Sequence, residues 1–304
     1  MTQTPPPLTI GTRASNLALA QATLVQHVLE ARGLAATLRV ISTRGDREPG
    51  PITQVGQKGV FTRELEEALL SGSVDLAVHS LKDLPVEPRH GLMLAAIPPR
   101  EEPSDALVVA ASLDARDLAS LPRGARVGTS SIRRGAQLLF ARPDLSVLPL
   151  RGNVDTRLRK LDAGDYDAIV LAAAGLIRLG LASRITSQLP ISLMTPAPGQ
   201  GALAIQMRDG APPLAEVATA LNDPATADAV NAERALLLRL GGGCELPIGA
   251  CCMPSAGSWQ LHAAVCAPDG SRCIRASCCG SAPSALIAQA HEQLMAAGAA
   301  DLLR

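Results

Sequence analysis

Three groups of residues in this sequence could do chemistry. The first is a thiol in Leu240-Gly241-Gly242-Gly243-Cys244-Glu245-Leu246-Pro247, where a helical run over 225–240 stops at three glycines. Glycines past a helix end admit positive φ and leave room beside the chain. Cys244 is therefore either a free cysteine at a helix stop or a held-out nucleophile or attachment point. The second is Asp83, in His79-Ser80-Leu81-Lys82-Asp83-Leu84-Pro85. Beside Lys82 it reads either as a surface ion pair of little worth or as a carboxylate aimed into a cleft, its charge state set by the lysine. His79 reads as structural. The third is a set of arginines. Arg133 and Arg134 follow Thr129-Ser130-Ser131 in the first turn of a helix running to Ala141. Cations there oppose the helix dipole, a placement that makes sense if an anion is held by the free N–H groups and both guanidinia. Arg151-Gly152-Asn153 and Arg157 repeat the pattern after the next strand.

The elements that must position these groups follow from periodicity. A short strand over 8–10 leads into Gly11-Thr12-Arg13-Ala14-Ser15, then a helix with Leu17, Ala20, Leu24 and Val28 at helical spacing. A strand over 37–41 completes the strand–helix–strand unit of a parallel α/β sheet. Arg13 and Ser15 stand at a strand's carboxyl end, where such sheets bind ligands. A loop with Lys58 and Phe61, a helix from Thr62 and a strand over 74–78 delivering Lys82-Asp83 follow. The Pro-rich segment 98–103 suggests an inter-domain connection, after which 126–134 opens a second α/β unit. Met194 to Gly201 suggests a second crossing, with a strand over 202–207 returning to the first lobe. Two crossings between two lobes predict a hinged cleft. From Pro224 a helix, a strand over 259–265, a hairpin turn at Pro268-Asp269-Gly270 and a terminal helix over 284–297 predict a small α+β domain. The expected division is 1–99 with 200–220, then 104–195, then 224–304.

Composition narrows the function classes. The 304 residues carry 28 basic and 28 acidic side chains, so no overall field draws the chain to nucleic acid or membrane. Lys58, Lys82 and Lys160 are the only lysines. Arginine's planar fork suits bidentate binding of carboxylate or phosphate. The near absence of aromatics also disfavours base stacking. The N-terminal residues lack a signal peptide's pattern. The longest apolar run, 168–177, falls well short of the ~20 residues that span a bilayer. A soluble cytoplasmic protein is expected. All seven cysteines lie between Cys244 and Cys279. The odd count and a cytoplasmic setting disfavour disulfides, and Cys251-Cys252 and Cys278-Cys279 lack zinc-chelating spacing. No metal is expected.

Eight segments resemble the porphobilinogen deaminase (hydroxymethylbilane synthase) family, in the same order over most of the chain. They are 11–15, Thr43-Arg44-Gly45-Asp46, Lys58-Gly59-Val60-Phe61, 78–85, 127–134, Leu150-Arg151-Gly152-Asn153, Pro198-Gly199-Gln200-Gly201-Ala202 and Gly242-Gly243-Cys244. The resemblance implies two hinged lobes like type II periplasmic binding proteins, plus a small α+β C-terminal domain. It implies a dipyrromethane cofactor joined to Cys244 by a thioether. Four porphobilinogen molecules are added head to tail, each losing ammonia, before hydroxymethylbilane is released. Asp83 matches the family's catalytic aspartate. The implied cofactor-binding set is Cys244, Lys82, Asp83, Thr129, Ser130, Ser131, Arg133, Arg134, Gly152 and Arg157. The implied substrate-binding set is Arg13, Ser15, Lys58, Phe61, Arg151, Arg157, Arg178 and Gln200. Family members lead us to expect a monomer.

The chemistry is coherent with that implication. Each pyrrole carries two carboxylates, which need several arginine forks. Loss of ammonia leaves an electron-poor cation that a fixed carboxylate stabilises, and a carboxylate can also shuttle the proton that the leaving amine requires. The competing reading is a two-lobed polycarboxylate receptor without chemistry, which accounts for lobes and arginines but not for Cys244.

Overall fold

The structure, a computed structural model, describes residues 6–42, 62–242 and 246–303. The chain divides into two compact units, one of residues 1–100 with 202–227, the other of 101–201 with 228–304.

The first unit is built on a five-stranded sheet of order β2-β1-β3-β10-β4. Its strands are β1 (Leu8–Thr12), β2 (Ala36–Val40), β3 (Leu76–Ser80), β4 (Leu92–Ala96) and β10 (Leu203–Arg208). β1 pairs in parallel with β2 and β3, while β10 is antiparallel to both β3 and β4. Period-two alternation gives the sheet two apolar faces. Ile10, Leu76 and Val78 pack with Ala22, Val25 and Leu29 of α1 (Asn16–Ala31). Ala77, on the opposite face, packs with Leu65 and Leu69 of α2 (Arg63–Leu70).

The second unit repeats the plan. Its sheet runs β7-β6-β8-β5-β9, from β5 (Asp105–Val109), β6 (Arg126–Gly128), β7 (Ser146–Leu148), β8 (Ala168–Ala172) and β9 (Ser187–Leu189). β6 is parallel to β7 and β8, and β5 is antiparallel to β8 and β9. In each lobe the antiparallel strand follows a crossing of the chain: β10 in the first, β5 in the second. Helix α3 (Ile132–Ala141) contributes Leu138 to one core, with Val127 and Val170. Helices α4 (Val154–Asp162) and α5 (Ala173–Arg178) contribute Leu158, Leu161 and Leu176 to the core on the other side, with Ile169 and Leu171.

The same unit holds the C-terminal α+β domain, an antiparallel sheet β11-β12-β13 (Ile248–Ser255, Ser258–Cys266, Cys273–Gly280). α7 (Pro224–Arg239) and α8 (Pro283–Ala296) share its core through Leu236, Leu286 and Leu294. α6 (Leu214–Leu221) belongs to the first unit.

Several expectations shift. The strand read at 74–78 lies at 76–80, because pairing with β1 and β10 rather than local hydrophobicity sets its ends. β11 was not anticipated. It contains Pro254, which an edge strand tolerates. The expectation of no disulfide is also corrected: Cys266 and Cys273, directly opposed in the β12–β13 register, are bonded. Cys251, Cys252 and Cys278 are buried outside that disulfide, and Cys279 is exposed.

Candidate functional site

Parallel strands place the loops after β6, β7 and β8 at one edge of the second lobe's sheet. After β6, the Thr129 hydroxyl accepts from the Ser131 N–H, and Ser131 caps α3 by accepting from the Arg134 N–H at 3.4 Å. Ser130 is exposed. After β7, Gly152 takes φ +112°, and a Cβ there would stand 2.8 Å from the Thr156 methyl, so only glycine fits. Its carbonyl accepts from Arg157 Nε at 2.7 Å, while Arg151 is exposed. After β8, the chain passes directly into α5, which ends at Arg178. Burial lowers the Arg178 pKa, Glu101 opposes that shift, and Nη2 donates to the Gly201 carbonyl at 2.7 Å.

The two arginines in the first turn of α3 meet one of the protein's own carboxylates. Asp105, first residue of β5 and 0% exposed, faces both arginines. Its Oδ2 accepts from Arg133 Nη1 at 2.7 Å. Its Oδ1 accepts from Arg134 Nε at 2.9 Å and lies 2.7 Å from Arg134 Nη2. Because β5 runs antiparallel to β8, its first residue reaches the edge where the parallel strands end. Burial alone would raise the Asp105 carboxyl. The two guanidinia, with hydrogen bonds from Arg133 and Gln200, outweigh it and hold the group well below the usual carboxylate range.

Gln200 is wholly buried. Its Nε2 donates to Pro103 O at 2.8 Å and to Asp105 Oδ1 at 2.9 Å, and its Oε1 accepts from Arg134 Nη2 at 3.4 Å. The resemblance implies a substrate contact for Gln200, and its side-chain amide hydrogen-bonds within this cluster. The same crossing segment is gripped elsewhere. Gln137 donates to Thr195 O and accepts from Thr195 N–H, and Arg275 of β13 reaches Thr195 Oγ1 and Leu193 O. The buried Glu233 of α7 accepts from the N–H groups of Gly199 and Cys252 at 2.7 Å each. Sequence reasoning missed Asp105 and Glu233. Their only signals were charges at positions whose neighbours face the core.

In the first lobe, Ser15 caps α1 through the Ala18 N–H at 3.3 Å, and Arg13, half-buried, precedes it at the end of β1. Lys82 and Asp83 lie on a single 3-10 turn, Leu81–Asp83, at the carboxyl end of β3. Leu81 and Leu84 are buried and the Leu81 N–H donates to Ala202 O. Those anchors leave Asp83 exposed and Lys82 half-buried. Leu84 is extended at φ −91°, ψ 130°, as a residue before proline must be, so the turn cannot continue into helix. Behind it His79 is buried. Burial pushes its pKa down to about 4, with Gln206 opposing and the positive Arg13 adding to the shift.

A charged turn at one strand end and paired arginines at another gain their meaning from relatives. Residues 8–216 match the family described as "Porphobilinogen deaminase, dipyromethane cofactor binding domain", and residues 227–296 match "Porphobilinogen deaminase, C-terminal domain". The chain belongs to the porphobilinogen deaminase family. It is 49% identical over 297 residues to a porphobilinogen deaminase of Rubrobacter xylanophilus, covering 97% of this chain and 96% of that one. It is 48% identical over 301 residues to one of Syntrophotalea carbinolica, covering 97% and 95%. A periplasmic substrate-binding protein from Coxiella burnetii aligns with 72% of this chain and 94% of its own, at 18% identity and a TM-score of 0.45.

Of the residues that the porphobilinogen deaminase resemblance singled out, Lys58, Phe61 and Cys244 lie outside the described residues, as does Thr43-Arg44-Gly45-Asp46. Thr129, Ser130, Ser131, Arg133, Arg134, Arg151, Gly152 and Arg157 share the strand-end edge of the second lobe, and Arg178 ends a helix that begins there. Arg13, Ser15, Lys82 and Asp83 share that of the first. The donor set fits a group bearing carboxylates. Asp105 is the one carboxylate in ion-pair contact with Arg133 and Arg134 among the described residues, which leaves one positive charge in excess. No helix among them is long and apolar enough to cross a membrane.

Proposed function

We propose that this chain joins four porphobilinogen molecules head to tail, releasing ammonia at each addition and then hydroxymethylbilane, as a monomer in the cytoplasm. The observation that supports this most is Asp83. It is an exposed carboxylate on a 3-10 turn at a strand end, in a chain matched to porphobilinogen deaminases along nearly its whole length.

Asp83 is read as the catalytic residue. Its charge stabilises the positive charge that develops on the substrate's pyrrole as ammonia leaves, and its oxygen carries the proton that the amine takes. The two-residue anchoring by Leu81 and Leu84 means little reorganisation is needed when that charge appears. Lys82 sits beside it on the same turn. Arg13 and Ser15 in the first lobe, with Lys58 and Phe61, are read as holding incoming substrate. Arg133, Arg134, Arg151, Arg157 and Arg178 supply cations for pyrrole carboxylates, with Thr129, Ser130, Ser131 and Gly152 contributing to cofactor binding. Dipyrromethane, joined to Cys244, supplies the primer from which the chain is extended.

Intact mass tests the reading together with an ammonia assay. The purified protein is expected to be heavier than its chain by one dipyrromethane unit and to release ammonia from porphobilinogen. Cys244→Ser is expected to lose both the mass and the activity, while single substitutions of Cys251, Cys252, Cys278 or Cys279 keep both. An active protein of unmodified mass would contradict it.

A further inference from the structure

We propose that Asp105 is a positioning residue that turns the Nε–Nη2 edge of Arg133 toward one carboxylate of the bound pyrrole chain. The inference rests on the function proposed for the arginines and concerns how their forks are aimed.

A guanidinium has five N–H donors in a fixed plane. All three nitrogens of Arg134 are held by protein: Nε and Nη2 by Asp105, Nη2 also by Gln200, and Nη1 by the Val170 carbonyl at 3.1 Å. Among the described residues Arg133 is held through Nη1, which donates to Asp105 at 2.7 Å and to the Thr195 carbonyl at 2.8 Å. Among the described residues no hydrogen bond takes its Nε–Nη2 edge. That edge carries the parallel pair of N–H groups that meets a carboxylate bidentately.

The charges lead to the same residue. Two guanidinia against one carboxylate leave a single positive charge in a nearly dry setting, enough for one further carboxylate. Rotation of the Arg133 plane is blocked because Nη1 bridges two acceptors from different elements, β5 and the 194–201 crossing. Asp105 is in turn fixed by Arg134 and Gln200. Arg134, on this account, tethers Asp105, and Arg133 receives the ligand. Without the Asp105 charge the Arg133 plane is free to turn, and misplacing a binding group by about 1 Å costs on the order of 10²-fold.

The experiment follows cofactor uptake by intact mass. Cofactor-free protein is incubated with preformed tetrapyrrole product well below the melting temperature, with circular dichroism confirming the fold. Asp105→Asn is expected to load roughly 10²-fold more slowly than the parent, and Asp105→Glu to recover part of the rate. A merely structural aspartate would lower the melting temperature and leave the loading rate of folded protein unchanged. Folded Asp105→Asn that loads at the parent rate overturns the inference. Should Asp105→Asn not fold, Gln200→Leu keeps both arginines and the carboxylate but removes one donor from Asp105. It is expected to load about tenfold more slowly, the cost of one hydrogen bond to a charged group. Loading at the parent rate overturns the inference there too. A parent chain that never gains the dipyrromethane mass would instead contradict the proposed function.

Discussion

Counted from their serine caps, α1 and α3 begin as the same helix. Ser15 and Ser131 each accept the N–H three residues on, and six residues on Gln21 and Gln137 are both buried. Between them the helices diverge: Leu17 and Ala18 in the first lobe, Arg133 and Arg134 in the second. The strand beside each helix diverges with it. β10 begins at Leu203, paired with Ser80 at the end of β3, and β5 begins at Asp105, paired with Ala172 at the end of β8. One scaffold therefore carries uncharged residues at these positions in one lobe and a buried ion cluster in the other. Such changes must come together, since one buried charge without its partner costs about 3–5 kcal/mol. The two lobes differ accordingly: the first presents Asp83 on a charged turn, and the second a pair of buried arginines.

The largest expected effect sits in the first lobe. Asp83→Asn should fold and, given preformed tetrapyrrole, still gain cofactor, yet its ammonia release in a single turnover should fall about 10²–10³-fold. Asp83→Glu, which keeps the charge one methylene away, should retain more. Release by Asp83→Asn at the parent rate would remove the chemistry from this lobe.

Acid sharpens the contrast. The His79 counterpart in β8 is Leu171, by the same pairing that matches Ser80 with Ala172. In the unfolded chain His79 takes a proton near its ordinary pKa of 6.5, in the folded chain only near about 4. Between those values the unfolded state binds more protons, so stability falls as pH drops through that window, by roughly 3 kcal/mol at about 1.4 kcal/mol per unit. Asp105 acts later. Its contribution, full at neutral pH, declines only once pH falls below the ordinary aspartate range. Amide exchange, corrected for intrinsic pH dependence, should show β3 losing protection before β8 on acidification. His79→Leu should remove the difference, and equal loss in both strands would argue against the buried histidine as its source.

The smallest effects come from the caps. Ser15→Ala and Ser131→Ala should each cost about 1 kcal/mol in urea titrations. Only the second should also slow cofactor uptake, because only α3 carries an arginine proposed to receive the ligand. Equal uptake in both variants would mean that the first turn of α3 need not be held.

Much of this was legible in the residues. Arg13, Asp83, Arg133 and Arg151 could be placed at strand ends because their strands are short apolar runs closed by Gly, Ser or Asn, and the two strand–turn–helix units opening at Gly11 and Gly128 pointed to two lobes. Asp105 could not be read in this way. Its link to Arg133 spans 28 positions and exists only because β5 enters its sheet antiparallel. The inward Glu233 was hidden likewise, since its partners are backbone N–H groups of distant segments. Arginines opposing a helix dipole pointed to a bound anion, whereas the carboxylate facing both guanidinia in the structure is Asp105.

The difference between the lobes is tested most directly by intact mass of Asp83→Asn and Arg133→Leu, each prepared without cofactor and incubated with preformed tetrapyrrole product. Asp83→Asn should gain the full added mass, and folded Arg133→Leu should stay at the mass of its bare chain. Full loading of Arg133→Leu together with failure of Asp83→Asn would contradict the account.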